Sequence, residues 1–195
     1  MEPSSQPQNS PALPETTPAP KRASLGAIVA TLVQELVLTF LPALVLALLI
    51  NHFVAQTTYV LGQSMEPNLH DDQHLLIEKV TYRFGEPERG DVVVIDVDHA
   101  EIPLIKRVIG LPGETVEIRA SQLFIDGQPI DEPYLSGVLQ RDYGPTTVPE
   151  DHVFVMGDNR NNSNDSRYFG AVPLDKVLGR AWVSYWPLQD AGLVN

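Results

Sequence analysis

Cysteine is absent from the 195 residues. Its absence removes disulfides, thiolate nucleophiles and cysteine-rich zinc or iron-sulfur sites, and leaves the redox compartment open. Basic residues are scarce: 13 Lys and Arg stand against 25 Asp and Glu, a formal net charge of -12. A chain of that balance repels phosphate backbones, which excludes a general nucleic-acid binder. Between Ala23 and Val54 charge itself is missing except at Glu35. No internal repeat runs through the sequence.

What is present is spread unevenly. Residues 1–22 hold six of the 17 prolines among Ser, Thr, Gln and Asn. Such a tail cannot repay the entropy of ordering and is expected to be disordered. Residues 23–55 follow, reading LVLTFLPALVLALLI from Leu36 to Ile50. A bilayer core about 30 Å thick takes roughly 20 apolar residues as helix, so this stretch is read as a single transmembrane helix. A cleaved secretory signal fits less well. The run is long for such a signal, and no small-residue cleavage pattern closes it before Asn51 and His52. Pro42 is of the kind membrane helices tolerate, while Gln34 and Glu35 leave two starts open, one near Leu36 and one inside the cytoplasmic headgroup zone. Lys21 and Arg22 are the only bases before Lys79. They should stay in the cytoplasm, which sends the larger C-terminal part outside.

Residues 57–195 carry 11 of the basic and 22 of the acidic residues, and they read as an all-β extracytoplasmic domain. Val- and Ile-rich runs recur at His74–Val80, Asp91–Val97, Leu104–Leu111, Thr115–Arg119, Gln122–Ile125, His152–Met156 and Val177–Tyr185. Turn chemistry separates them. Asp126-Gly127 is the strongest signal, a two-residue hairpin loop. Beyond Thr57 no long helical period is visible, which predicts a mainly β fold behind one helix.

Three segments spend polar residues and glycine where a plain β-domain would not need them. In Gly62-Gln63-Ser64-Met65-Glu66-Pro67, glycine permits close backbone approach and Ser64 offers a hydroxyl, although alone the segment is a turn. In Leu104–Glu114 a strand puts Leu104, Lys106 and Val108 on one face and Ile105, Arg107 and Ile109 on the other. Either face sets a cation among aliphatics. Lys106 is then an edge or snorkelling residue, or a desolvated amine whose pKa falls from about 10.4 toward the range of a general base. In Met156–Gly170, Asp165 and Arg167 form an expected ion pair that orders a polar loop carrying Ser163. That loop is not an EF-hand, because Arg160 stands at the third position from Asp158 and the central glycine and closing glutamate are missing. His70 and His74 have zinc-protease spacing without the glutamate or the helix, and His99 and His152 lack an orienting carboxylate for a triad.

In this order and behind one apolar helix, these segments resemble the bacterial type I signal peptidases, membrane-bound serine endopeptidases with a Ser-Lys dyad. Gly62–Leu69 resembles the nucleophile motif, Arg89-Gly90-Asp91-Val92-Val93-Val94 the strand motif after it, Lys106–Glu114 the general-base motif, and Gly157-Asp158-Asn159-Arg160 through Asn162-Ser163 and Asp165-Ser166-Arg167 the last. The resemblance implies Ser64 as nucleophile, with its own N–H toward the oxyanion, Lys106 as general base and Ser163 as the hydroxyl that orients the amine. It implies Asp158, Asp165 and Arg167 as supports of the loop, with Arg107 a neighbour of the base and without a chemical step. No cofactor and no metal are expected. The implied partners are signal peptides of secreted preproteins and membrane lipid, with no nucleic acid, at a single-pass site in the cell membrane. Substrate is expected to add as a β-strand, with small side chains entering shallow pockets. Ser64 lies about 14 residues past Ile50, which predicts a catalytic centre near the outer interface.

One position departs from the pattern. Some members carry a serine two residues before the nucleophile, where this chain has Gly62, which leaves a second oxyanion donor, worth about 3 kcal/mol, unassigned. Self-cleaving repressors of the DNA-damage response share Ser-Lys chemistry but open with a DNA-binding helix-turn-helix. From another class, a non-enzymatic membrane-anchored β-domain serving as an export adaptor would need neither Ser64 nor Lys106.

Overall fold

The computed structural model describes residues 24–98, 100–135 and 141–194. The expected disorder of 1–22, the bases Lys21 and Arg22, and His99 fall outside the described residues. Helix α1 spans Leu25–Phe53 and continues across Pro42 and Glu35. Within it, Ile28–Phe53 has a mean hydropathy of 2.3 and no buried residue. At about 1.5 Å per residue this is more than the thickness of a bilayer core.

The β-domain is built from β1 (Ala55–Tyr59), β2 (His74–Glu78), a one-turn α2 (Thr81–Phe84), β3 (Val92–Ile95), β4 (Leu104–Gly110), β5 (Thr115–Arg119), β6 (Gln122–Ile125) and β7 (Gln128–Pro129). There follow β8 (Tyr143–Thr147), β9 (His152–Met156), a one-turn α3 (Ser166–Phe169), β10 (Val172–Pro173), β11 (Val177–Trp186) and β12 (Gly192–Leu193). The domain is therefore mainly β, as expected. The large sheet runs β1-β2-β11-β3-β4-β9-β10, with β12 added beside β11, and the small one runs β7-β6-β5-β8. All pairings are antiparallel.

β3 is apolar throughout, and β9 nearly so, because both faces of the large sheet are covered there. Along β3, Val92 and Val94 enter one core with Met65, Leu69, Leu75 and Ile105, while Val93 and Ile95 enter another with Val108, Val153 and Val155. Period two thus serves two cores at once. β9 does the same, sending Phe154 and Met156 into a third core against Val116, Ile118, Leu123 and Ile125 of the small sheet. Gly110 packs against that sheet, and a Cβ there would overlap the Val116 side chain and press on Val148 and Phe154. At the β6–β7 turn Asp126 and Gly127 both have positive φ, 49° and 76°, the backbone of the expected hairpin loop.

Candidate active site

β4 is the platform. Lys106 stands opposite Val93 and Arg107 opposite Val92 and Met156, and both cations are buried, 3% and 2% exposed. The pleat sends them to different partners. The Lys106 Nζ donates to the Ser64 Oγ at 2.8 Å and to the Ile105 carbonyl at 2.9 Å. Burial pushes the Lys106 amine down to about 8, against the opposing pull of Asp165 and Asp158. Of the two readings of a lysine among aliphatics, the desolvated one describes this residue.

Ser64 is held by the residues on either side of it. Met65 and Leu69 are core residues, 0% and 4% exposed, and a turn closes between them through the Leu69 N–H to the Met65 carbonyl at 3.0 Å. On the other side, Gly62 adopts φ 78° and donates its N–H to the Asp71 carboxylate at 2.7 Å. The Ser64 carbonyl accepts from the Asn159 N–H at 3.0 Å, and the Gln63 carbonyl from the Asn159 side-chain amide at 3.0 Å. The loop after β9 therefore grips the backbone of the Ser64 segment directly. Gly157 makes that approach possible, since a Cβ on it would overlap the Ser64 carbonyl and the Ser163 side chain.

The loop is fixed in turn by buried ion pairs. Asp165 is fully buried, receives the Gly157 N–H at 3.0 Å, and takes the Arg167 guanidinium through two bonds of 2.8 Å. Asp158 takes the Arg107 guanidinium through bonds of 2.8 and 2.6 Å and the Asn68 amide at 2.8 Å. Two-pronged pairs of this kind fix geometry as well as charge. Arg107, which had no assigned step, thus connects β4 to the loop.

The Ser163 hydroxyl makes no hydrogen bond to the Lys106 amine. The lysine's two donated bonds go to Ser64 and to the carbonyl of Ile105, one residue away on the same strand. The Ser163 Oγ is buried and has no hydrogen-bond partner among the described residues. A main-chain acceptor on β4 itself, the Ile105 carbonyl, holds the amine beside Ser64. Other participants carried no sequence signal of their role: Asn68, Asn159 and Arg160 were visible as motif letters only, and Glu132, which pairs with Arg160, lies far from every motif. Among the described residues no set of three His, Asp or Glu side chains converges as a metal site. His74 packs edge-on against Tyr185 instead, and the His152 ring lies 2.8 Å from the Glu150 carbonyl.

A serine hydroxyl bonded to a buried amine, on a β-domain that follows an apolar helix, is the arrangement of a membrane-tethered serine hydrolase with lysine in place of histidine. The comparisons with known proteins agree. The chain belongs to the signal peptidase family, peptidase S26, which matches residues 33–186. It is 43% identical to a probable signal peptidase I-2 of Synechocystis, over 83% of this chain and 77% of that protein. It is 40% identical to signal peptidase I of Leptolyngbya laminosa, over 92% of both chains. A solved signal peptidase I from Enterococcus faecalis V583 is 37% identical, with a TM-score of 0.45, over 49% of this chain and 96% of that one. The protein is thus a membrane-anchored serine endopeptidase that removes signal peptides, and the adaptor reading falls.

Proposed function

We propose that Ser64 attacks the carbonyl at the signal-peptide cleavage site while Lys106 takes its proton. The observation that carries this is the 2.8 Å bond between the Lys106 Nζ and the Ser64 Oγ, made by an amine stripped of water. At about 8, roughly one such amine in ten is neutral at pH 7, against about one in several thousand for an ordinary lysine. The neutral amine has a lone pair toward Ser64 and two N–H groups. One N–H keeps the Ile105 carbonyl, and the other is free to find the unpartnered Ser163 hydroxyl.

After attack, the protonated Lys106 hands its proton to the leaving amine and an acyl-serine remains. Neutral again, it takes a proton from water, whose oxygen attacks the ester and frees Ser64. The Ser64 N–H is an oxyanion donor in this scheme. A second donor at residue 62 is limited to the main chain, and the Gly62 N–H already serves Asp71. Asp158, Asp165 and Arg167 act by holding the loop.

The substrate is the signal peptide of an exported preprotein, added as a strand at an unpaired sheet edge, for which β1 is a candidate because it ends the large sheet and leads into the nucleophile segment. The N-terminus lies in the cytoplasm, α1 crosses the membrane once amid lipid, and the β-domain lies outside. Cleavage of a membrane-anchored preprotein by the wild type, Ser64→Ala and Lys106→Ala tests the dyad. Both variants should lose processing by at least three orders of magnitude; wild-type processing by either removes that residue from the reaction.

A further inference from the structure

Beyond the motifs, the strap that leaves the small sheet after β7 reaches into the active site. Glu132 and Tyr134 lie on it. Arg160 donates through its Nε to the Gly157 carbonyl at 3.1 Å and extends its two terminal nitrogens to the Glu132 carboxylate, one of them at 2.9 Å. The Tyr134 hydroxyl donates to that same carboxylate at 2.6 Å. Burial, together with the charge of Glu132, pushes the Tyr134 phenol up, so it stays a donor. The Tyr134 ring lies under the Arg107 guanidinium at 4.1 Å, and the Tyr134 carbonyl accepts from the Asn68 amide at 2.9 Å.

These contacts converge on Ser64 from two directions. Asn68 follows the nucleophile by four residues. Asn159, whose N–H holds the Ser64 carbonyl, lies between Asp158 and Arg160, the two residues that Arg107 and Glu132 fix. Two guanidiniums and two carboxylates thus form a neutral buried set, with side-chain exposures of 2% and 0% for Arg107 and Asp158 and 3% and 6% for Arg160 and Glu132. In such a set each charge has its position dictated by the others. The outer pair, Glu132 with Tyr134, touches neither Ser64 nor Lys106. Its routes to the chemistry are the placement of the loop, through Arg160, and of the Ser64 segment, through Asn68.

We propose that Glu132 and Tyr134 are positioning residues for the nucleophile: through Arg160, Arg107 and Asn68 they hold the Asn159 and Ser64 backbones at the distance the dyad requires, so that the small sheet's strap is part of the catalytic apparatus. The proposal rests on the dyad reading. Misplacement by a fraction of an ångström lowers kcat more than substrate binding, because only the transition state depends on alignment.

The test uses the full-length protein in detergent and a preprotein substrate, with kcat, KM and melting temperature measured together. Tyr134→Phe, which keeps the ring and loses only the hydroxyl, should lower kcat about fivefold at unchanged KM, with the melting temperature within about two degrees of wild type. Glu132→Gln should lower kcat by a factor of ten or more. Glu132→Leu with Arg160→Leu removes both charges, so its melting temperature should recover while kcat stays low. If kcat recovers with stability in the double variant, or if Tyr134→Phe turns over at the wild-type rate, the strap is structural only and the proposal is overturned. Ser64→Ala run beside them separates the two levels. Full activity in that variant removes the dyad itself, whereas an inactive Ser64→Ala beside an unaffected Tyr134→Phe and double variant removes only the positioning role.

Discussion

At the scale of single residues, Lys106 carries the cost and the benefit of the same burial. The unfolded chain holds the lysine proton up to the ordinary 10.5, and the folded chain releases it at about 8. Between those values the unfolded state binds more protons, so stability rises with pH across this window. Below pH 8 both states are protonated and the full cost, about 3 kcal/mol, is present; above 10.5 it is gone. Lys106→Met, of similar length and apolar, should therefore melt several degrees higher than wild type at pH 6 to 7. That advantage should shrink as the pH passes from 8 to 10.5, as followed by circular dichroism, and processing should be abolished throughout. A variant no more stable than wild type at pH 6 contradicts a desolvated amine. Wild-type kcat/KM should rise with pH, reaching half its plateau near 8 as the same proton leaves. Gly157→Ala poses the opposite case, a residue with no chemistry whose added methyl would press on the Ser64 carbonyl. It should lower kcat a hundredfold or more and cost about 1–3 kcal/mol by urea unfolding. Lys106 and Ser64 were legible from their motifs because they sit in glycine-framed segments. Glu132 and Tyr134 were not, because a buried ion pair across a long sequence separation leaves no local pattern.

At the scale of elements, the loop after β9 depends on buried pairs, and the small sheet also carries a partly exposed one. Asp158→Ala leaves the Arg107 guanidinium buried without its carboxylate, and breaking such a pair costs about 3–5 kcal/mol. Glu117→Ala removes the partly exposed pair with Arg119, with side chains 24% and 51% exposed, and should change stability by less than about 1 kcal/mol. Paired urea titrations check the contrast, and equal losses would mean that the Arg107 pair is solvated. The strands divide in the same manner by what burial does to sequence. β5, β6 and β9 have the bounds their apolar runs predict, and β4 differs by one residue, because β5 and β6 bury every second side chain and β4 and β9 bury nearly all of theirs. β1, reading Ala-Gln-Thr-Thr-Tyr, has an edge position with largely exposed side chains, and nothing in its composition separates it from a linker. β7, β10 and β12 are two residues each, too short for any period. β8 hides behind Gly144 and Pro145, residues that signal turns.

At the scale of the whole molecule, composition divides the labour. An apolar helix with no buried residue has no use in water, and its length suits a bilayer. The acidic surplus lies almost wholly after it, with 22 of the 25 Asp and Glu beyond residue 56. Orientation depends on much less charge than that. Translocation is governed by the bases that flank a span, and acidic residues in the translocated domain contribute little. In the proposed orientation, Lys21 and Arg22, which precede the helix in the sequence, are the two side chains that set the direction of the enzyme. Lys21→Glu with Arg22→Glu should leave the folded β-domain and its intrinsic kcat in detergent unchanged while sending a large fraction of molecules the wrong way round. Protease added to intact cells stripped of their wall should then spare a β-domain that it digests in the wild type, and preprotein processing in cells should fall in proportion to the inverted fraction. A wild-type accessibility pattern in the double variant would mean that orientation is set elsewhere, and a loss of kcat in detergent would mean that the tail acts on the active site itself.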